Sequence, residues 1–263
     1  MFKALKLSTG PILTLIAFVA LWEVGCRLLN VPDFVLPPPS EITYVLIRDW
    51  GIIWPNAVQT LWTTMIGFAV AVGVGLLLGL MIGVSPSINR NLSPLLVGFN
   101  SVPKVALVPV LVLWFGVGTV PAIVTAFLVA FFPIVVNVAA GIATIEVELV
   151  DVLRSLGASQ VDILLKAGLP RSLPYFFASL KVAVTLAFVG SIISETVAAN
   201  SGIGYLMVAA SAAFKIPLLF ASLVFIALLG MALYGIAALI ERRVTPWAFR
   251  AANAGGATYA TGG

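Results

Sequence analysis

Glu23, Lys104 and Glu195 stand inside apolar runs of this 263-residue chain, and the chemistry open to such groups is narrow. An ionised side chain at the centre of an apolar helix in lipid costs roughly 2.5–3.5 kcal/mol. Each therefore needs an ion-pair partner, a polar network or a water-filled passage. Glu23 precedes Arg27 by four residues on one helix face, which predicts a local ion pair. Lys104 follows Pro103 and precedes Pro109, and broken backbone at membrane depth is tolerated only where it faces protein or water. Its amine either lines a passage suited to an anion or extends to the cytoplasmic interface. Glu195, close before Asn200-Ser201-Gly202-Ile203-Gly204, either lines or gates an outer exit or bonds structural groups there.

Other chemistries fall away. The chain has no histidine, which removes the commonest general base and metal ligand, and its single cysteine, Cys26, rules out an intrachain disulfide. No Gly-x-x-x-x-Gly-Lys-Ser/Thr phosphate loop is present, so ATP hydrolysis by that device is not expected of this chain. No paired mid-span acids suggest an aspartyl enzyme or an autonomous ion-coupled carrier. The net charge of +4 comes from basic residues scattered at the ends of apolar runs, which argues against nucleic acid as a partner. No cofactor or metal is implied.

The elements that must position these residues are membrane spans. Hydrophobic residues make up 61% of the chain and charged residues 9%, against about 25% charged in soluble domains. A window of about 20 apolar residues predicts six spans: Pro11 to Leu29, Leu61 to Val84, Pro94 to Leu113, Val120 to Ile142, Tyr175 to Ala198 and Pro217 to Ile240. The first is expected to remain as an uncleaved span, since no small-x-small site follows a short apolar core. Between the first two, Leu36-Pro37-Pro38-Pro39-Ser40-Glu41 predicts an extended segment ending in a helix N-cap. A short surface helix follows, with Ile42, Val45 and Leu46 at helical spacing and Trp50 and Trp54 suited to a membrane interface. Span two carries glycines at 67, 73, 75, 79 and 83, expected to pack closely against a helix of this chain or of a second copy.

Orientation follows the retention of basic residues inside. With the N-terminus inside, Lys3, Lys6, Arg90, Arg154, Lys166, Arg171, Lys181, Arg242, Arg243 and Arg250 are cytoplasmic, while Arg27, Arg48 and Lys215 are outside. Both termini are then cytoplasmic. Residues 1–250 form a single transmembrane domain, and the small, glycine-rich stretch 251–263 is expected to be a disordered tail.

The longest cytoplasmic connection, Ala143 to Pro174, is patterned. Leu149, Val152, Leu153 and Leu156 recur at i, i+3, i+4 and i+7, opposite Glu148, Asp151 and Ser155. Gly157 permits a left-handed helix end, Ser159 and Asp162 form a capping pair, and Val161, Leu164 and Leu165 begin a second short helix. Leu169-Pro170 and Leu173-Pro174 are expected to close it. Such a helix-turn-helix packs on its own bundle, lies on lipid, or docks into another protein.

This connection resembles that of the inner-membrane permeases of binding-protein-dependent ABC importers, where it runs Glu-Ala-Ala, three residues, Gly, nine residues, Ile-x-Leu-Pro. Asp151-Val152-Leu153 stands at the triplet, Gly157 at the glycine and Ala167-Gly168-Leu169-Pro170 at the end. The spacing matches; Asp replaces Glu, and both alanines become larger. The likeness extends through Leu36-Pro37-Pro38-Pro39-Ser40, Pro103-Lys104-Val105-Ala106-Leu107-Val108-Pro109, Trp114-Phe115-Gly116, Phe132-Pro133-Ile134, and Glu195 with Gly202-Ile203-Gly204-Tyr205. It is similar above all to the branch serving nitrate, sulfonates such as taurine, and small heterocycles related to thiamine precursors or riboflavin.

The resemblance implies an all-α, type I importer-like permease in the bacterial inner membrane. It implies a second permease copy, a periplasmic solute-binding protein and cytoplasmic ABC ATPase subunits. The ATPases would dock on Leu149, Asp151, Val152, Leu153, Leu156, Gly157, Ala158, Leu169 and Pro170, with alternating access driven by ATP. An autonomous secondary transporter or channel is the competing expectation.

Overall fold

In a computed structural model that describes residues 9–247, the apolar runs become helices, and no strand occurs among the described residues. The helices are α1 (Thr9–Leu28), α2 (Pro39–Arg48), α3 (Trp50–Val84), α4 (Pro86–Ser101), α5 (Val108–Phe115), α6 (Thr119–Ala143), α7 (Val147–Ser155), α8 (Gln160–Ile163), α9 (Leu169–Ala198), α10 (Ile203–Ala212) and α11 (Ile216–Val244). A 3-10 turn, Lys104–Leu107, precedes α5, and a π-helical stretch, Leu164–Gly168, joins α8 to α9. The expected tail at 251–263, and Lys3, Lys6 and Arg250, lie outside the described residues.

Five helices are long and apolar enough to cross a membrane, and the bent pair Pro86–Ser101 with Lys104–Phe115 supplies a sixth crossing. That pair corresponds to span three and turns through 78°. Its break has a local cause. Pro103 forces the preceding Val102 out of helical geometry, to ψ 128°.

The centre is a three-helix bundle of α3, α6 and α9. Along α3, Gly67, Ala71, Gly75, Gly79 and Gly83 recur every fourth residue and so share one face. A Cβ on Gly75 would lie 2.8 Å from that of Ile134, and one on Gly79 would lie 2.7 Å from that of Val138. Gly83 likewise faces Ile142, so the two helices run parallel with backbones in close approach. Lipid tails are as apolar as leucine, so this contact is held by van der Waals packing rather than by exclusion of water. The glycine face is thus filled within the chain and is not a contact between copies; Gly73 faces open space. On its other side α6 meets α9 antiparallel, Gly141 against Ser172 and Gly190 against Ala126.

A second cluster closes the opposite end, where Ile42 and Val45 of α2, Ile53 of α3, Ile203 and Leu206 of α10, and Leu218 and Phe225 of α11 pack together. Here the boundaries differ from expectation. Span two begins at Trp50, not Leu61: Trp50 stacks on Trp54 at 5.4 Å and meets Phe225 edge-on at 5.3 Å. Pro55 withholds one N–H near the start of α3 without ending it. The extended segment ends within the Leu36–Glu41 run, at Pro38, which holds the N-cap place of α2 with Pro39 at the first helical position. Span five also runs further back, continuous from Val161 to Ala198. A π-helical stretch leads directly into α9, where Pro170 takes one of the first two helical positions and Pro174 lies within the helix, so neither closes the segment.

Candidate functional site

Two regions gather the polar and exposed residues singled out by sequence. The first is the connection after α6. α7 buries none of its residues, and Val152 and Leu156 are 54% and 77% exposed. Its end is built by backbone bonds: Gly157 N–H donates to Arg154 O at 2.9 Å and Ala158 N–H to Leu153 O at 3.0 Å. That is a Schellman turn with Gly157 in the left-handed residue, at φ +81°. Ser159 and Asp162 then close the start of α8 reciprocally, the Asp162 N–H donating to Ser159 Oγ at 3.1 Å and the Ser159 N–H to Asp162 Oδ2 at 3.2 Å.

Leu149 and Leu153 of α7, with Ala167, Pro170 and the stems of Lys166 and Arg171, line a groove of about 420 Å³. Leu169 is half-buried beside Pro170, and Asp151 pairs loosely with Arg154 at 3.8 Å. Arg171 bonds Glu146 at 2.9 Å and ties the start of α7 to α9. Of the nine loop residues, Leu149, Leu153 and Pro170 meet around this groove, Gly157 and Ala158 form the turn between the two short helices, and the second helix is the overhang of span five. The apolar face of this connection lacks a partner among the described residues.

The second region is a buried polar node at the other end of the bundle. Glu195 is 2% exposed. Its Oε2 accepts from Thr60 Oγ1 at 2.8 Å and from the Gly204 N–H at 3.1 Å, and its Oε1 accepts weakly from Thr63 Oγ1 at 3.4 Å. Thr63 Oγ1 also lies 2.6 Å from Ser191 Oγ. Thr60 Oγ1 accepts the Ile203 N–H at 2.8 Å, and Asn56 Oδ1 the Gly202 N–H at 2.9 Å. The orphan donors at the start of α10 are thus met by side chains of α3 and α9. Gly202, at φ +106°, lies so close that a Cβ would overlap the Glu195 carboxyl group. α10 was not foreseen, but Asn56, Thr60 and Thr63 at i, i+4 and i+7 in an apolar run were a legible polar stripe.

The remaining charges sort themselves. Glu23 pairs with Arg27 at 2.6 Å, as the four-residue spacing predicted, and its Oε2 also accepts the Ser40 N–H at 3.0 Å, supplying the cap that Pro38 lacks. Lys104 turns its ammonium back onto Asn100, bonding Oδ1 at 2.7 Å and the backbone oxygen of the same residue. Lys104 and Glu195 do not meet in one site. Sequence reasoning missed the pair Lys181–Glu241, 2.6 Å between α9 and α11 with Glu241 buried. Its partners are sixty residues apart and no local spacing marks them.

Among known proteins, the family described as "Binding-protein-dependent transport system inner membrane component" matches residues 71–246. The riboflavin transport system permease protein RibX of Chloroflexus aurantiacus is 32% identical over 245 residues, covering 91% of this chain and 90% of its own. The taurine transport system permease protein TauC of Escherichia coli is 27% identical over 253 residues, 93% of this chain and 90% of its own. Among solved structures, a chain of the inward-facing MetNI methionine ABC transporter superposes with a TM-score of 0.59 at 21% identity, over 77% of this chain and 97% of that one. That likeness is one of fold.

Proposed function

Because the chain belongs to the family of binding-protein-dependent transport system inner membrane components and is a permease subunit of an ABC importer, we propose that α7 and the Gly157 turn are where a separate cytoplasmic ATPase subunit docks. The observation that carries this is the apolar face of α7. Val152 and Leu156 are exposed beyond the membrane bundle, beside a groove that the chain leaves unfilled. An apolar helix face presented to water is stable in a complex that covers it.

Orientation follows from packing and charge together. Gly83 against Ile142, Gly141 against Ser172, and Lys181 with Glu241 put the C-terminal ends of α3, α6 and α11 at the same end as the N-terminal end of α9. Arg90, Arg154, Lys166, Arg171, Arg242 and Arg243 cluster there in sequence, which supports a cytoplasmic assignment for that end and for both termini. The α2–α10 end then faces the periplasm, where a solute-binding protein delivers its cargo. Residues 1–250 act as one permease domain that works with a second copy in the bacterial inner membrane. The solute class is that of the similar permeases: nitrate, a sulfonate such as taurine, or a riboflavin- or pyrimidine-like heterocycle.

The test is co-purification of the detergent-solubilised chain from its native membrane, comparing wild type with Val152→Asp and Leu156→Asp. Both positions are exposed, so neither change disturbs the bundle. An ATPase subunit recovered with wild type and lost from both variants supports the docking surface. Equal recovery from all three would move docking elsewhere, and no ATPase with any of them would favour an autonomous transporter.

A further inference from the structure

Helix α1 leans on the rest of the chain at its C-terminal end. Glu23 and Arg27 bond Ser40, Cys26 Sγ donates to the Leu36 oxygen at 3.6 Å, and Trp22 packs on the cluster formed by α2, α10 and α11. Beside these contacts runs an apolar cleft of about 610 Å³, lined by Phe18, Leu21, Trp22, Leu29, Val31 and Leu36. At Cys26 and Val31, which line both, it adjoins a polar cavity of about 600 Å³. Arg27, Asn30, Asp33, Ser40 and Glu41 surround that second space. The pair is thus apolar along α1 and polar at its end.

Its dimensions are those of a lipid. From Phe18 to the helix end at Leu28 is about 15 Å, half of the roughly 30 Å hydrocarbon core and so the depth of one leaflet. Spread over that length, the apolar cleft has a cross-section of about 40 Å², which admits an extended hydrocarbon chain. A helix is at least about 10 Å across and needs about twice that section. A helix of a second copy can therefore cover the cleft but not fill it.

The polar end discriminates among headgroups. Arg27 gives its Nε proton to Glu23 and one Nη2 proton to Ser40, which leaves three guanidinium protons for a phosphate. Asp33 and Glu41 form no ion pair among the described residues. The start of α2 offsets part of the Glu41 charge, whereas Asp33 lies outside any helix. A ligand cation suits them both. A primary ammonium, with three donors, can meet two carboxylates, where a quaternary ammonium donates to neither.

We propose that this cleft holds one phosphatidylethanolamine molecule, an acyl chain lying along Phe18, Leu21 and Leu29, its phosphate on Arg27 and its ammonium on Asp33 and Glu41. The lipid then joins α1 to the Val31–Leu36 segment where the chain itself supplies few contacts. With the orientation proposed above it belongs to the outer leaflet, but the site does not depend on the importer reading.

The test is native mass spectrometry of the full detergent-solubilised chain, titrated with phosphatidylethanolamine, phosphatidylcholine and phosphatidylglycerol of identical acyl chains. Gly25 lines the apolar cleft and a Cβ there meets nothing within 4 Å, so Gly25→Leu fills the cleft without a clash at its first atom. Gly10→Leu, equally open on the same helix but outside the cleft, is the control. Wild type and Gly10→Leu should bind one phosphatidylethanolamine several-fold more tightly than either other lipid. Gly25→Leu should lose it, and Asp33→Asn with Glu41→Gln should bind the ethanolamine and choline lipids alike. Unchanged lipid binding by Gly25→Leu overturns the site. Equal binding of all three lipids to wild type, or a preference for either of the others, overturns the headgroup assignment and the proposal with it. A protein dimer that Gly25→Leu abolishes, with no lipid retained by wild type, gives the cleft to a second copy and also overturns it. ATPase recovery is read separately, so failure here leaves the importer reading standing.

Discussion

Thr60 Oγ1 donates to Glu195 Oε2 at 2.8 Å, joining α3 to α9 across 135 residues, and the same hydroxyl accepts the Ile203 N–H of α10. One threonine thus fixes three helices. Its neighbour Thr63 repeats the α3–α9 link through Ser191. The node sits where the α3, α6, α9 bundle gives way to the α2, α10, α11 cluster.

Glu195→Ala should lower the thermal midpoint of the detergent-solubilised chain. It leaves the Gly204 N–H and the Thr60 hydroxyl without their acceptor, and each unmet buried group costs about 1–3 kcal/mol. Glu195→Gln keeps one oxygen acceptor and should lose less. Thr60→Val should be destabilising alone but add less than its full cost to Glu195→Ala, because the two share a bond. Strict additivity, measured by thermal unfolding of the four proteins, would show that the node is not one network.

The glycine face predicts opposite outcomes for substitutions on one helix. Gly79→Val places a Cβ 2.7 Å from that of Val138 and should destabilise the bundle by about 1–3 kcal/mol through overpacking. Gly73→Ala meets nothing within 4 Å, so the gain in helix propensity, up to about 1 kcal/mol in water, has no steric cost against it. Thermal midpoints should fall for the first and hold or rise for the second. A fall for both would mean that Gly73 is covered in the membrane, by a second copy for example.

Much of this architecture was legible because lipid simplifies the code. Apolar length alone placed five straight crossings, and Pro103 with Pro109 marked the bent one. The Glu23–Arg27 pair and the Ser159–Asp162 cap followed from spacings of four and three residues, where helix geometry decides the contact. What stayed hidden was long-range. The choice of α6 as partner for the glycine face, the seating of α10 on Asn56, Thr60 and Glu195, and the Lys181–Glu241 pair depend on which helices become neighbours. Pro170 and Pro174 misled for a different reason: Pro170 stands in the first turn of α9, where a missing N–H costs nothing, and α9 continues through Pro174.

Lys181→Met should be among the more damaging single changes outside the node. It removes the 2.6 Å partner of the buried Glu241 and leaves a carboxylate without compensation, a loss of about 3–5 kcal/mol for a fully buried pair. Lys181 is 22% exposed, so the loss should fall toward the lower end. The double variant Lys181→Met with Glu241→Met should recover most of it, since two apolar side chains need no partner. Thermal unfolding decides the point: a double variant as unstable as the single one would show that the pair matters for its position and not for its charge.

Gly157 separates the fold of the docking loop from its use. No heavy atom lies within 4 Å of a Cβ built there, so the cost of a side chain within the chain is conformational: about 1–2 kcal/mol for an alanine in the left-handed region, and less for asparagine. That cost falls on the turn, which the two Schellman bonds and the Ser159–Asp162 cap still support. Gly157→Asn should therefore leave the thermal midpoint and ATPase recovery close to wild type, and Gly157→Ala should weaken recovery modestly. Gly157→Trp, like Gly157→Ala, meets no heavy atom within 4 Å at its Cβ, but it puts a large ring where the ATPase must approach. It should abolish recovery without a matching drop in midpoint. Full ATPase recovery with Gly157→Trp would mean that the turn stands clear of the partner, and docking would then have to rest on Val152 and the groove beside Pro170.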